Sequence, residues 1–145
     1  MPRRFRCALL LTAIAALAAA CGSSNSSLPT TPTTLPTVLT ETFSGVLNKN
    51  AAFTHPFVVG DAGDVSVFLI ASADPRNPDN NAIPLGVSLG TWNGASCSVV
   101  IANDNITPGS SITGRATAAG NLCVRVYDVG FVAGAANYEV LIDHY

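Results

Sequence analysis

The chain has 145 residues, of which 48% are hydrophobic and only 11% charged, with a formal net charge of −2. Arg3, Arg4 and Arg6 mask a more acidic remainder, in which Lys49, Arg76, Arg115 and Arg125 face nine Asp and Glu for a net of −5. Four scattered cations argue against a nucleic-acid partner, which needs clustered Lys and Arg on phosphate, and against holding anionic lipid by charge alone.

Residues 1–6 are basic and residues 8–17 are apolar. That run of about ten residues is too short for a spanning helix, which needs roughly 20. It leads through Leu17-Ala18-Ala19-Ala20 into Cys21. These residues resemble the lipobox of a bacterial lipoprotein signal, with Ala18 where Leu is commoner. The resemblance implies that residues 1–20 are a signal peptide and that Cys21 carries the lipid, including palmitate. The membrane is then a partner through Cys21, and the location is the bacterial cell envelope. Gly22-Ser23-Ser24 follows the cysteine without an Asp, which favours the outer membrane where the organism has one. An ordinary secretory signal is the alternative reading.

Residues 21–40 are rich in Ser and Thr, with Pro29, Pro32 and Pro36 closely spaced. Such a segment buries too little apolar surface to offset chain entropy, and its prolines bias it toward polyproline II. It reads as a tether, about 25 Å long as a flexible coil and about 60 Å if extended.

Residues 41–145 read as one all-β domain, because no window shows a helical period free of Gly and Pro. Val, Ile, Thr, Phe and Tyr alternate in short stretches between turn residues. Strands are expected at 41–47 and 52–59, the latter at an edge or a bulge because Pro56 lacks a ladder donor. Others follow at 65–71 and 85–92. Asn93-Gly94 is a hairpin signal. A two-residue loop would pair Trp92 with Ala95. A three-residue loop would instead place Thr91, Leu89 and Val87 opposite Cys97, Val99 and Ile101, and gives one continuously apolar face with Cys97 inward. A slip of one residue flips every side chain, so the second register is favoured. Residues 103–109 are expected as a loop, and the remaining strands at 111–117, 122–128 and 138–144. About eight antiparallel strands without a helix point to a sandwich or jelly roll.

Cys97 and Cys123 in an exported domain favour a disulfide, since the envelope is oxidising; two buried free thiols are the alternative. The pairing meets a conflict. Leu122, Val124 and Val126 look inward and send Cys123 outward with Arg125 and Tyr127, so a bond to an inward Cys97 needs a bulge, a strand end or a covered outer face.

The blocks Gly120-Asn121-Leu122-Cys123-Val124-Arg125-Val126-Tyr127 and Asn137-Tyr138-Glu139-Val140-Leu141-Ile142 resemble the end of a bacterial pre-peptidase C-terminal domain. Phe43-Ser44-Gly45 and Gly63-Asp64-Val65-Ser66-Val67 resemble its opening. The resemblance spans residues 41–145. It implies a β-sandwich of jelly-roll type, without catalysis of its own, that usually accompanies secreted enzymes.

Several residues invite chemistry. Gly86-Val87-Ser88-Leu89-Gly90 matches G-x-S-x-G, with Asp104, Asp128 and His144 downstream in hydrolase order. That motif works on a strained turn from strand to helix, whereas Ser88 is expected mid-strand. His55 and His144 are not spaced as a metal pair, and cysteines in a disulfide cannot complete a zinc site; both read as surface or half-buried strand histidines. Asn103, Asp104 and Asn105 are the best calcium guess among the acidic turns, although no D-x-[DN]-x-[DN]-G loop exists. Solvated turns explain them equally, so no metal and no cofactor is assigned. Trp92, Tyr127 and Tyr138 are a candidate ligand platform, since aromatics with a polar tip are common at recognition surfaces. The competing role for Trp92 is packing beside the hairpin.

The expected function is a non-catalytic, lipid-anchored envelope domain that binds or adheres to a glycan or an envelope protein. A purely structural part of a surface assembly and an accessory to a separately encoded secreted enzyme are the other two readings.

Overall fold

The computed structural model describes residues 36–77 and 79–145. The signal peptide, most of the tether and Cys21 lie outside the described residues. Eight strands run β1 (Leu39–Asn48), β2 (Ala52–Val59), β3 (Gly63–Ala73), β4 (Leu85–Trp92), β5 (Cys97–Ile106), β6 (Ser111–Ala116), β7 (Gly120–Tyr127) and β8 (Ala135–His144). They form two four-stranded antiparallel sheets, ordered β1-β8-β3-β6 and β2-β7-β4-β5. This is a jelly-roll β-sandwich: the first strand pairs with the last, the second with the seventh, and the chain repeatedly crosses between sheets.

Alternation builds the core. Val65, Val67 and Leu69 of β3, Val87 and Leu89 of β4, Val124 and Val126 of β7, and Val140 and Ile142 of β8 are buried between the sheets. Burying such side chains contributes about 1.5–3 kcal/mol each. Pro56 lies in β2, an edge strand, the position in a sheet that tolerates a residue without a backbone donor.

Four expectations change. β1 begins at Leu39, inside the segment read as tether, because Leu39 and Thr40 pair with His144 and Asp143 at the end of β8. In β3 a register shift between Leu69 and Ala71 leaves Ala71 exposed and turns Ser72 inward, where its hydroxyl donates to the Ile83 carbonyl. Residues 103–106 continue β5 rather than forming a loop. Their partners in β4 hold them extended, Val87 opposite Asn103 and Leu85 opposite Ile106.

The fourth change is the β4–β5 hairpin, which adopts neither expected register. Trp92 pairs with Cys97, Thr91 with Ser98 and Gly90 with Val99, so residues 93–96 form a four-residue loop. The Asn93 side-chain carbonyl accepts from the Ala95 and Ser96 amides at 2.9 and 2.8 Å, closing an Asx-type turn. Gly94 takes the left-handed conformation at φ 94°. The shift between Leu89 and Gly90 returns Ile101 to the core side opposite Leu89, and a second shift between Leu85 and Val87 sets the buried Ile106 opposite Leu85. The two bulges thus set Ile101 and Ile106 on the core side, beside the polar Ser98 opposite Thr91 and Asn103 opposite Val87, while Cys97 pairs with the outward Trp92.

Candidate functional site: the outer face of the β2-β7-β4-β5 sheet

Strand alternation sends Gly86, Ser88, Gly90 and Trp92 of β4 to the outer face of this sheet. Register sets Tyr127, Arg125 and Cys123 of β7 beside Gly86, Ser88 and Gly90. Thr54 and Pro56 of β2 continue the rows from Arg125 and Cys123. The G-x-S-x-G spacing is therefore a lane of small residues along the outside of a central strand, and packing explains each glycine. A Cβ at Gly86 would lie 2.2 Å from the Tyr127 ring, which covers that position. A Cβ at Gly90 would lie 2.1 Å from the Ser98 carbonyl oxygen and 2.9 Å from the Val99 Cα, so the backbone of β5 occupies its place.

That second contact resolves the cysteine conflict. Cys97 and Cys123 form a disulfide with Cα atoms 5.8 Å apart, yet β4 lies between their strands. Flat neighbouring strands are about 4.8 Å apart, so strands two places away are about 10 Å apart. The start of β5 must curl over Gly90 to bring Cys97 within reach. Cys123 is outward, as alternation requires, and fully buried. The expected inward Cys97 is corrected: it is outward and half-buried.

The curled hairpin overhangs the sheet. Between its tip and the strands lies a pocket of about 370 Å³ lined by Trp92, Ala95, Ser96 and Cys97 on one side and Thr54 and Arg125 on the other. Trp92 is half-buried, which leaves part of the indole open to a ligand. Arg125 sits 5.5 Å above the Tyr127 ring, within cation–π range. The Tyr127 hydroxyl donates to Asp104 on β5. Burial, together with that hydrogen bond, pushes the Tyr127 pKa up to about 12, so the phenol stays protonated and the ring stays anchored. A depression of about 400 Å³ on the other sheet has Glu139 as its only charge and no exposed aromatic.

The candidate platform of three aromatics does not form. Trp92 and Tyr127 share the outer face, but Tyr127 is level with Gly86, about 20 Å along the strand from Trp92. Tyr138 faces the core at 3% exposure. There it shares a 2.8 Å hydrogen bond with His55 Nε2 beneath Gly45, because β8 alternates Ala136, Tyr138, Val140 and Ile142 inward. Arg125, Thr54 and Ser96 complete the pocket in place of the tyrosines. Outward orientation of Arg125 was legible from alternation; its meeting with Trp92 was not.

The other candidates are engaged elsewhere. Asp104 accepts from Tyr127, and the Asn103 side chain accepts from the Asn105 amide at 2.9 Å. No group of three His, Cys, Asp or Glu that could hold a metal occurs among the described residues. Ser88 is 1% exposed and its hydroxyl has no partner among the described residues, on a strand with no following helix. His144, read as surface or half-buried, is instead fully enclosed, tilted on Phe57 and 3.0 Å from Glu41. Asp128 caps a loop through the amides of Asn50, Gly130 and Val132. Serine, histidine and carboxylate thus make no hydrogen-bonded triad.

No protein-family model matches the chain, and no curated protein matches it. Among solved structures, the periplasmic g-type lysozyme inhibitor PliG of Aeromonas hydrophila is similar at 14% identity and a TM-score of 0.47, over 71% of this chain and 83% of that one. A Bacillus endospore appendage protein, from a family of disulfide-linked pili, is similar at 12% identity and a TM-score of 0.37, over 74% and 88%. An antigen and type I fimbria protein of Burkholderia pseudomallei is similar at 14% identity and a TM-score of 0.30, over 74% and 98%. At such identities and scores no residue role or partner transfers to this chain.

Proposed function

We propose that this protein is a non-catalytic, lipid-anchored envelope domain that binds a surface glycan or an envelope protein through the outer face of its β2-β7-β4-β5 sheet. The observation that carries the reading is the pocket under the hairpin tip. It pairs a half-exposed indole with an arginine and two hydroxyl side chains, and holds no nucleophile with a base. An aromatic face beside hydrogen-bonding groups suits recognition rather than bond cleavage. The lipobox at Leu17–Cys21 supports the anchor, and the jelly-roll strand order supports the resemblance to pre-peptidase C-terminal domains. The test is a glycan array and an envelope pull-down with the detergent-solubilised lipoprotein, wild type and Trp92→Ala. Binding lost in the variant supports the reading. Binding that Trp92→Ala leaves intact, or hydrolysis of an ester panel that Ser88→Ala abolishes, refutes it.

A further inference from the structure

Three arginines lie in the described residues. Arg76 pairs with Asp74 at 3.4 Å and Arg115 with Asp64 at 2.8 Å. Arg125 has no carboxylate within ion-pair distance and no side-chain hydrogen bond among the described residues, although it lines the one pocket that also holds Trp92. Its guanidinium is positioned without being neutralised: it rests over the Tyr127 ring, and Asp104 fixes that ring through its hydroxyl. An arginine stacked on an aromatic keeps its fork of donors free for a planar acceptor. The indole supplies an apolar face of the size of a pyranose ring, and Thr54 and Ser96 supply hydroxyls.

Resting on the binding reading above, we infer that the pocket takes a saccharide carrying one carboxylate, with the sugar ring on Trp92 and the carboxylate on Arg125. A single carboxylate, not a polyanion, fits the charge. The pocket offers one cation, and the chain beyond the leader has a net charge of −5, which repels an extended anion within the screening length of about 8–10 Å. An acidic peptide offers the carboxylate but no rigid ring face for the indole.

The test is calorimetric titration of the detergent-solubilised lipoprotein with two disaccharides of the same linkage, one ending in glucuronic acid and one in glucose. The acidic sugar is expected to bind about tenfold or more tightly, the difference expected of a charge-assisted hydrogen-bonded pair. Arg125→Ala should remove that preference, so that the two sugars bind alike, Arg125→Lys should restore only part of it, and Trp92→Ala should weaken both sugars. Arg125 is exposed on its strand, so these variants leave the core intact. Equal affinity for the two sugars, with Arg125→Ala silent and Trp92→Ala weakening both, overturns the carboxylate assignment and leaves the glycan reading standing. Failure of both sugars, or equal binding of a glutamate-bearing peptide, overturns the saccharide assignment; an effect of Trp92→Ala on the envelope pull-down then decides whether the binding reading survives.

Discussion

Ser88 shows how a residue can match a catalytic spacing for a packing reason. Its hydroxyl is enclosed without a partner among the described residues, a state that carries a desolvation cost of about 1–3 kcal/mol. Ser88→Ala is therefore expected to leave the melting temperature unchanged or to raise it; a clear loss of stability would show that the hydroxyl has a partner. His55 carries a second residue-scale consequence. Burial lowers its pKa below the ordinary value of 6.5, while its ring stacks on Phe43 at 4.8 Å and bonds to Tyr138. Below pH 6.5 the unfolded chain binds this proton more readily than the folded one, so stability is full above that value and falls as pH falls. Thermal melts of the wild type should lose stability as pH falls below the ordinary histidine value of 6.5, and His55→Gln should flatten that slope. The same slope in the variant would assign it to the carboxylates. Asp128 acts in the same direction at lower pH. Burial raises its pKa, but the amides of Asn50, Val132, Gly130 and Phe131 outweigh burial and hold it below the ordinary carboxylate value.

At the scale of elements, the curled β4–β5 hairpin is tied across β4 to β7 by the Cys97–Cys123 disulfide. The bond closes 26 residues of chain separation, which in the chain-entropy account contributes about 3–4 kcal/mol. It also keeps Ala95 and Ser96 over the pocket. Reduction should therefore lower stability by about that amount and shift the emission of the single tryptophan to the red as the tip lifts from the sheet. An unchanged spectrum in the reduced, still folded protein would show that the tip does not depend on the bond. Gly90→Ala tests the same device from below. The added methyl meets the β5 backbone rather than a movable side chain, and overpacking of this kind costs about 1–3 kcal/mol. Non-reducing mass analysis of this variant should show a rise in free Cys97 and Cys123 if the curl is what brings them together.

On the scale of the whole molecule, the sandwich presents two different outer faces, and among the described residues the β2-β7-β4-β5 face is the one that sets Trp92 and the unpaired Arg125 around a shared depression. A tether of up to about 60 Å would let that face reach beyond the membrane surface. Palmitate labelling of the wild type and its absence in Cys21→Ser is the expected outcome for the anchor; equal labelling would refute it. Most strands were legible because hydrophobic alternation and turn residues are local signals. Pro56 left β2 at an edge or a bulge, and the strand order places it at the edge.

The sequence by itself determined an all-β domain of eight strands, the inward set of Val, Leu and Ile, and the outward direction of Cys123, Arg125 and Tyr127. Each follows from a period of two along a single strand. The resemblance of Leu17–Cys21 to a lipobox is likewise contiguous and needs no fold to read. Only the tertiary structure decided the outward Cys97, the buried Tyr138 and His144, and the meeting of Trp92 with Arg125. The outward Cys97 depends on the hairpin register, the meeting of Trp92 with Arg125 on which strands neighbour β4, and the enclosure of Tyr138 and His144 on β2 of the facing sheet, whose His55 and Phe57 pack against them. A bulge shifts register without changing the residue pattern that alternation reads. The β7 partners of β4, among them Arg125 beside Ser88, come from residues more than 30 positions away, which no local period encodes.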